Sequence, residues 1–440
     1  MYQFLYSKKQ WLSTIPLILI TSLIIGISLN GIFSVQANID SLQGSVDPTP
    51  IFLMPIFFGA ATLYFCINTI IAILIENLQE DYQLWAILGA NTNQLSLLIG
   101  GQFLIISMIV SLFGSFLSVP CSQLIYHSLQ SMVGENMLPD LKISINFKAA
   151  LFTVIISTVI CFCSGFIHAK RLLRLQKEKP KLKYKIMNRM KFIFIILISL
   201  IWVSLVVIVS FNFSLNYGVP PVLFKAQLLF VILLIHILFL QQISPKLYLI
   251  ILNRLYQLNI FHGYANIMAI WKISEKTTYL HSLISSMSIA VILLSGLQLL
   301  SDNIFSTFQT NSELEFMVSI LLYLGAPLVI IIFNIITLTL LTSDEEVKNM
   351  RQLSILGLSQ KNFFKVKFYE ALLYSFLNLV TGFIFNSILL YLTFIIFKQT
   401  FLMNSFQIRG LFMFDIVLSL LLFAIVFFTN YWRIIKIKWE

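Results

Sequence analysis

The sequence predicts an all-α polytopic membrane protein with about ten transmembrane helices, arranged as two parallel four-helix repeats joined by a two-helix insert. The chain has 440 residues, of which 58% are hydrophobic and only 11% are charged, and its mean hydropathy is +0.91. A soluble domain of this composition would lack the polar side chains that cover a surface. Apolar runs of about 20 residues, each long enough to cross a hydrocarbon core about 30 Å thick, recur along the chain. A short polar segment containing Ile-Leu-Gly also occurs twice, once ending at Gly89 and once ending at Gly357.

Hydropathy places ten spans in the sequence. They are 12–34, 52–75, 97–119, 148–169, 191–212, 221–243, 279–300, 316–342, 366–397 and 413–432. The first span follows Lys8 and Lys9, as a signal peptide would, but it is long and no clear small-residue cleavage site follows it. We therefore expect it to be retained as a helix. With the N-terminus in the cytoplasm, an even number of spans places the C-terminus there as well.

The net charge is +11, but the basic residues are distributed as membrane topology requires and not as a nucleic-acid surface would require. We therefore expect no nucleic-acid partner. In the predicted topology 24 of the 29 Lys and Arg residues lie on the inner side, which is the positive-inside bias of a polytopic protein. The exceptions at outer ends are Lys142, Lys148, Lys225, Lys398 and Arg409. Ten inner charges are concentrated in residues 170–191. This run is interpreted as an anchor against anionic lipid headgroups, with a docking surface for a soluble partner as the alternative.

An internal repeat divides the chain, in a gapless register that aligns Gly89 with Gly357. This repeat register also pairs Glu76 with Asp344, Gln102 with Glu370, Ser107 with Ser375, and Gly114 with Gly382. It projects the first two spans onto the seventh and eighth, which were drawn from hydropathy alone. The predicted division is a first four-helix unit at 1–170, a basic linker and two-helix insert at 171–258, and a second unit at 259–440. The units start six spans apart, so they share one orientation, and the expected working surface is where the halves meet.

Each Ile-Leu-Gly segment lies between the second and third span of its unit, on the inner side. Its length and polarity predict a short helix along the membrane surface, with Gly89 or Gly357 as the residue that ends the helix. In the second copy the leucines are expected to face the bilayer or a partner, while Lys348, Arg351 and Gln352 stay in water.

These residues resemble the FtsX-like permease family, the MacB-like class of ABC transporters. In the second copy, an RQLSILGLS-type segment is followed by Glu370 and then, within the same span, by Gly382. The first copy matches at Leu88, Gly89, Ala90, Gln102 and Gly114, with Gln where the family usually has Glu and no Arg at the matching site. Ten spans with a central insert resemble the fused version of the family found in antimicrobial-peptide resistance permeases. However, loops 35–51 and 301–315 are too short for that version's large extracellular domain.

The resemblance implies that the two Ile-Leu-Gly segments are coupling helices that dock into a cytoplasmic ABC ATPase present in two copies. The residues expected to contact the ATPase are Leu84, Leu88, Gly89, Arg351, Leu353, Leu356, Gly357 and Ser359, and those expected to couple or pack helices are Gln102, Glu370, Gly114 and Gly382. ATP and Mg²⁺ would bind to this partner, and no cofactor or metal is expected in the chain itself. For Glu370, a carboxylate that merely reaches the inner interface is the alternative.

Catalytic motifs are missing from the sequence, which has no GxxxxGK[ST], HExxH, CxxC or GxSxG pattern, so we expect a non-enzymatic subunit. His236 lies in the middle of a span, where it is either functional or a packing residue. Asp415 and Arg409 are expected only to mark the outer start of the last span. The four cysteines, Cys66, Cys121, Cys161 and Cys163, are expected to be packing residues.

The expected function is that of a bacterial cell-membrane ABC permease that moves or extrudes an amphipathic substrate such as an antimicrobial peptide, a bacteriocin or a lipid. The missing extracellular domain and the strongly apolar spans favour such a substrate. The alternative is a non-transporting signalling or regulatory subunit that controls an extracellular hydrolase or a sensor kinase. A membrane enzyme is disfavoured by the absence of any catalytic constellation.

Overall fold

The computed structural model is helical throughout the part of the chain that it describes, which confirms the predicted all-α fold class. The described residues are 8–38, 49–78, 82, 84–85, 87–133, 143, 146–177, 196–208, 221–258, 263–303, 312–355, 357–399 and 411–436. The helices are α1 (Lys8–Leu12), α2 (Ile15–Ala37), α3 (Thr49–Asn77), α4 (Thr92–Val133), α5 (Phe147–Lys177), α6 (Ile196–Ile208), α7 (Pro221–Leu258), α8 (Tyr264–Glu275), α9 (Thr277–Asn303), α10 (Ser312–Leu341), α11 (Ser343–Ile355), α12 (Gln360–Gln399) and α13 (Leu411–Lys436).

The protein is a multi-pass membrane protein. Within the described residues, seven helices are long and apolar enough to cross a membrane, and the number rises to nine if each of two bent pairs is one span. One bent pair is α7, whose halves Val231–Gln241 and Ile243–Gln257 meet at 58°. Pro245 explains this bend, because it has no N–H to donate to the carbonyl of Gln241. The predicted span 191–212 is represented by α6, which is shorter than a membrane crossing.

Two helices are much longer than hydropathy predicted. The spans predicted at 97–119 and 366–397 are α4, with 42 residues, and α12, with 40 residues. At a rise of about 1.5 Å per residue each helix is about 60 Å long, about twice the thickness of a hydrocarbon core. Hydropathy detects only the apolar part of such a helix. The residues after Pro120, predicted to form a loop with at most a short helix, continue α4 as far as Val133.

The helix positions follow the repeat register. α4 begins at Thr92 and α12 begins at Gln360, two positions that the register aligns. Within the described residues, the glycines with positive φ are Gly89 at +96° and Gly357 at +90°, and the register aligns these as well. The corresponding loops therefore have the same local conformation in both copies.

The first compact unit comprises Met1–Glu178 and Met317–Asn349. It contains α1 to α5 and most of α10, a helix that the repeat assigns to the second four-helix unit. α10 packs here against α3, since Asn77 Nδ2 donates a hydrogen bond to the carbonyl of Leu341 at 3.3 Å and a Cβ added at Gly59 would lie 3.6 Å from Ile330. The division of the sequence at 170 and 258 stays a prediction about the repeat.

The second compact unit comprises Lys179–Phe316 and Met350–Glu440. In it α12 packs against α8, α9 and α13, and α7 packs against α9. One buried apolar cluster joins α7, α9 and α12 through Leu233, Ile237, Leu240, Ile292, Phe385 and Leu389.

The cysteines are free. Cys66 and Cys161 are buried, as expected of packing residues, and Cys121 is partly buried. The prediction is wrong for Cys163, which is exposed because it lies on another face of α5 from Cys161.

Candidate functional site

The first Ile-Leu-Gly segment ends a short helical turn with a left-handed glycine. The backbone N–H of Ala90 donates to the carbonyl of Trp85 at 2.9 Å, across Gly89 with its φ of +96°. This bond between residues five apart, closed by a glycine, is the Schellman arrangement that ends helices. Ile87 and Leu88 immediately before the glycine are 83% and 81% exposed.

The second segment has the same geometry. The N–H of Leu358 donates to the carbonyl of Leu353 at 3.1 Å, and Gly357 between them has a φ of +90°. This turn ends α11, and Ile355 at the last position of the helix is 85% exposed. The left-handed turns place both glycines where helices end, in agreement with their predicted role as helix stops.

The predicted contact residues differ in exposure. Leu84, Leu88, Gly89, Arg351, Gly357 and Ser359 are exposed, Leu353 is half-buried, and Leu356 lies outside the described residues. Ile87 and Ile355 were not among the predicted residues, although each is more exposed than any predicted leucine that the structure describes. The sequence could have indicated both isoleucines as contact residues, because each is the first residue of a repeated Ile-Leu-Gly triplet. Exposed apolar side chains that lie together, such as Ile87 and Leu88, are typical of a surface that binds a partner or a lipid.

Both segments connect to a long helix through a short, ordered link. Asn91 caps the start of α4, and its N–H donates to the side-chain oxygen of Gln94 at 3.0 Å, which is half of a capping box. In the second copy the carbonyl of Ser359 accepts from the N–H of Phe363 at 3.1 Å at the start of α12.

Glu370 is the centre of a buried ion cluster near the start of α12. Its Oε2 lies 2.6 Å from Nζ of Lys367, and its Oε1 lies 3.6 Å from Nζ of Lys272 on α8. The hydroxyl of Tyr264 on α8 also donates to Oδ1 of Asn362 on α12. Glu370 therefore connects α12 to α8, a partner helix that sequence reasoning missed. Glu370 is only 4% exposed, so its carboxylate lies inside the second unit against α8.

Gln102, the counterpart of Glu370, has no such cluster. Its Oε1 is buried and accepts no hydrogen bond from any described residue. Ile99 occupies the position that corresponds to Lys367, so both members of the charged pair are replaced together in the first copy.

Gly114 and Gly382 lie where helices approach closely. A Cβ added at Gly114 would lie 2.0 Å from Oγ of Ser22 on α2. A Cβ added at Gly382 would lie 3.0 Å from Val291 on α9 and 3.1 Å from Oδ1 of Asp415 on α13. A side chain at Gly114 would therefore clash with α2, whereas one at Gly382 would need small shifts of Val291 and Asp415.

His236 lies on α7, where it is completely buried among aromatic rings of other helices. Its ring packs edge-on against Phe385 with a centroid distance of 4.7 Å and lies 5.8 Å from Trp202. These contacts favour its interpretation as a packing residue.

The second unit contains buried polar side chains that the sequence interpretation did not group together. Ser288 Oγ donates to Asn378 Oδ1 at 3.0 Å, and Asn378 Nδ2 donates to Ser419 Oγ at 2.9 Å, which joins α9, α12 and α13. Ser288 Oγ also shares a hydrogen bond of 3.1 Å with Thr381 Oγ1.

A second group of polar side chains joins the same three helices. Ser295 Oγ donates to Asn386 Oδ1 at 2.7 Å, and Asn386 Nδ2 donates to Asp415 Oδ1 at 2.6 Å. Asp415 is only 2% exposed, so its interpretation as a mere boundary marker is wrong. Neither group could be found from spacing along one helix, because its members come from three helices.

Part of the chain is similar to a known family. Residues 53–177 match the family model described as FtsX-like permease C-terminal. The matched residues include most of α3, the first Ile-Leu-Gly segment, and α4 and α5. No curated protein and no solved structure matches the chain.

Proposed function

Because residues 53–177 match an FtsX-like permease domain, which indicates a membrane component of an ABC-type transport or related system, we propose that the chain is a permease subunit driven by a separate cytoplasmic ATPase dimer. The proposed activity is the movement or extrusion of an amphipathic substrate. ATP and Mg²⁺ bind to the partner in this proposal, because the chain has no P-loop sequence. The N- and C-termini are assigned to the cytoplasm.

One observation carries the proposal. Twice, at positions that the repeat register aligns, a helical segment ends at a glycine with positive φ beside an exposed isoleucine. A partner that is a dimer requires two equivalent contacts, and each copy of the repeat supplies one. Ile87 and Ile355 are the apolar tips that we assign to grooves on the two ATPase subunits.

The short links after each glycine favour a role in transmitting motion. Only Ala90 and Asn91 lie between Gly89 and the start of α4, and the link between Gly357 and the start of α12 is equally short. A capped helix that begins two residues after the contact should move when the contact moves. The link is too short to take up the displacement by changing its own conformation. Closure of the ATPase dimer on ATP would therefore move α4 and α12.

Two features support an amphipathic substrate. Residues 38–48, between α2 and α3, and residues 304–311, between α9 and α10, are too few to form a domain that would carry a hydrophilic substrate away. The outward faces of α4 and α5 are strongly apolar, with Phe113, Phe116 and Phe147 all exposed. A substrate that enters from the lipid, such as a bacteriocin, another antimicrobial peptide or a lipid, fits these features.

A second function is favoured by the length of α4. Its 42 residues extend beyond a hydrocarbon core, so in the proposed orientation its last residues form a surface outside the membrane. Such a surface suits a signalling subunit that controls an extracellular hydrolase or a sensor kinase without transporting anything.

The ATPase activity of the complex in lipid nanodiscs distinguishes the transport proposal from the signalling proposal. We expect amphipathic peptides or lipids to stimulate it, and hydrophilic solutes to have no effect. Stimulation by hydrophilic solutes alone contradicts the proposed substrate class. Recovery of a hydrolase or kinase with the complex, together with no transport into proteoliposomes, supports the signalling function instead.

A further inference from the structure

We propose that Asp415 is a proton-binding site in the core of the second unit, where its carboxyl group holds a proton while α9, α12 and α13 are packed together and releases it when these helices separate. The site consists of Asp415 on α13, Asn386 and Gly382 on α12, and Ser295 on α9.

The first observation is the geometry of the carboxyl group. Asp415 is 2% exposed, and its Oδ1 accepts a hydrogen bond of 2.6 Å from the amide of Asn386. Its Oδ2 is buried and has no hydrogen-bond partner among the described residues. A Cβ at position 382 would lie 3.1 Å from Oδ1, so Gly382 provides the space that the carboxyl group occupies.

The second observation is that the described groups in contact with the carboxyl are uncharged; Arg409, six residues before Asp415, lies outside the described residues. The helices packed against α13 are α9 and α12, and they contribute Ser295, Asn386 and Gly382. Their charged or titratable acids and bases are His281 and Asp302 on α9, and Lys361, Lys365, Lys367, Glu370 and Lys398 on α12. Among those whose side chains the structure describes, none forms an ion pair with Asp415.

The energetic consequence follows from burial. An ionised carboxylate that receives only one neutral hydrogen bond is strongly disfavoured away from water, and such a group becomes neutral by binding a proton. A proton on Oδ2 turns this oxygen into a neutral O–H group, whereas a bare Oδ2 remains an unsatisfied anion.

Glu370, a second buried acid of the same unit, has a different environment. It is 4% exposed, but Lys367 Nζ lies 2.6 Å from one of its oxygens and Lys272 Nζ lies 3.6 Å from the other. Two similarly buried carboxyl groups therefore have different environments: Glu370 lies beside two cations, whereas the described partners of Asp415 are neutral.

The site is specific to the second unit. In the repeat register, Ser295, Asn386 and Asp415 correspond to Ile27, Ser118 and Phe147. If these polar side chains were needed only to pack four helices, we would expect them in both copies of the repeat. They are present in the second copy and not in the first.

A proton at this site links helix packing to pH. An Asp side chain in water is ionised above about pH 4, so an opening of these helices that exposes Asp415 to water releases the proton at neutral pH. The packed arrangement is therefore favoured by acid, by up to about tenfold for each pH unit. Regulation of transport by acidity rests on the proposed function, but proton binding itself does not.

Infrared spectroscopy of the full chain in lipid nanodiscs tests the proposal without any ATPase. We expect the wild type at neutral pH to show the C=O stretch of a protonated carboxyl group, and Asp415→Asn to lack it. The matched control is the double variant Lys367→Ile with Glu370→Gln, which removes the other acid that is buried in the second unit and should keep the band. A band that persists in Asp415→Asn, or that only the control removes, overturns the assignment.

A second variant covers the case in which Asp415→Asn does not fold. Asn386→Ala removes the hydrogen bond to Oδ1, so the band should shift in frequency and remain present. A band at an unchanged frequency shows that the protonated carboxyl lies elsewhere. Absence of the band from the wild type at neutral pH shows that Asp415 is ionised, which also overturns the proposal.

Discussion

At the residue scale, Gly89 and Gly357 show how the sequence specifies a local structure completely. Each glycine has φ near +90°, and a Cβ added at either would meet no atom within 4 Å. The glycine is therefore required by its backbone conformation and not by crowding. This role was predictable because a glycine directly after an apolar helical turn is a strong helix-stop signal. The burial of Asp415 was not predictable, because hydropathy indicates only that this residue lies near the end of a span.

Replacement of Gly357 by Val should strain the turn by about 1–2 kcal/mol, because a β-branched residue rarely adopts positive φ. We expect Gly357→Val to insert into the membrane but to uncouple ATP hydrolysis from function. Gly357→Asn should retain more activity, since Asn tolerates this conformation better. ATPase activity and substrate movement measured in the same proteoliposomes check the prediction, and full coupling in Gly357→Val contradicts the placement of the segment.

Replacement of Gly114 by Ala should destabilise the first unit by about 1–3 kcal/mol, because the new Cβ would lie 2.0 Å from Ser22 Oγ. Gly101→Ala is the matched control on the same helix, since its added Cβ meets nothing within 4 Å. Ser22→Gly should partly rescue Gly114→Ala. Thermal unfolding of the purified variants in detergent measures these effects, and equal stability of the two alanine variants would show that α2 and α4 do not meet as described.

At the scale of single elements, the sequence predicted which segments are helices better than it predicted where they end. α12 was expected at 366–397 and spans Gln360–Gln399, whereas α4 was expected to end at 119 and extends to Val133. Proline and polar residues at a predicted helix end do not stop a helix that is supported by packing. The connection of α8 to α12 was missed because it is made by Lys272 and Glu370, which are far apart in sequence.

The charged pair of Lys367 and Glu370 gives an element-scale prediction. Glu370→Gln should destabilise the protein by about 3–5 kcal/mol, because it leaves the buried Lys367 ammonium without its closest counter-charge. The double variant Lys367→Ile with Glu370→Gln reproduces Ile99 and Gln102 of the first copy and should recover most of this loss.

A double-mutant cycle of these variants, followed by thermal unfolding, measures the coupling between the two residues. Lys272→Met should cost less than Glu370→Gln, because the Lys272 side chain retains 13% exposure and Glu370 keeps Lys367. Additive effects of the two substitutions at 367 and 370 would show that the pair does not interact.

At the scale of the whole molecule, positions that the repeat register aligns carry different side chains in the interiors of the two compact units. The second unit has interhelical hydrogen bonds through Asn378 and Asn386, at positions where the first copy has Val110 and Ser118. Ser118 instead accepts an interhelical hydrogen bond from Asn30 Nδ2 at 2.7 Å. The repeat was readable from the sequence because its register is constant. The packing of α10 in the first compact unit could not be predicted from the sequence, because a repeat along the chain does not show which helices pack together.

The divergence predicts unequal contributions of the two coupling segments. We expect Ile87→Asp to impair the coupling of ATP hydrolysis to function less than Ile355→Asp, because the first copy lacks the Arg and the Glu of the second. ATPase activity and substrate movement of each single variant, measured with equal amounts of permease in the membrane, check this asymmetry. Equal or reversed effects would show that the motif letters do not determine the strength of coupling.

The central claim is that the two Ile-Leu-Gly segments bind an ATPase dimer. The most direct measurement is to purify the tagged chain from its own membrane and to determine the stoichiometry of any P-loop ATPase bound to it. We predict two ATPase subunits per permease for the wild type, and loss of the ATPase in the double variant Ile87→Asp with Ile355→Asp, with the permease still inserted. A wild-type chain that purifies without an ATPase, or a double variant that retains both subunits, contradicts the account.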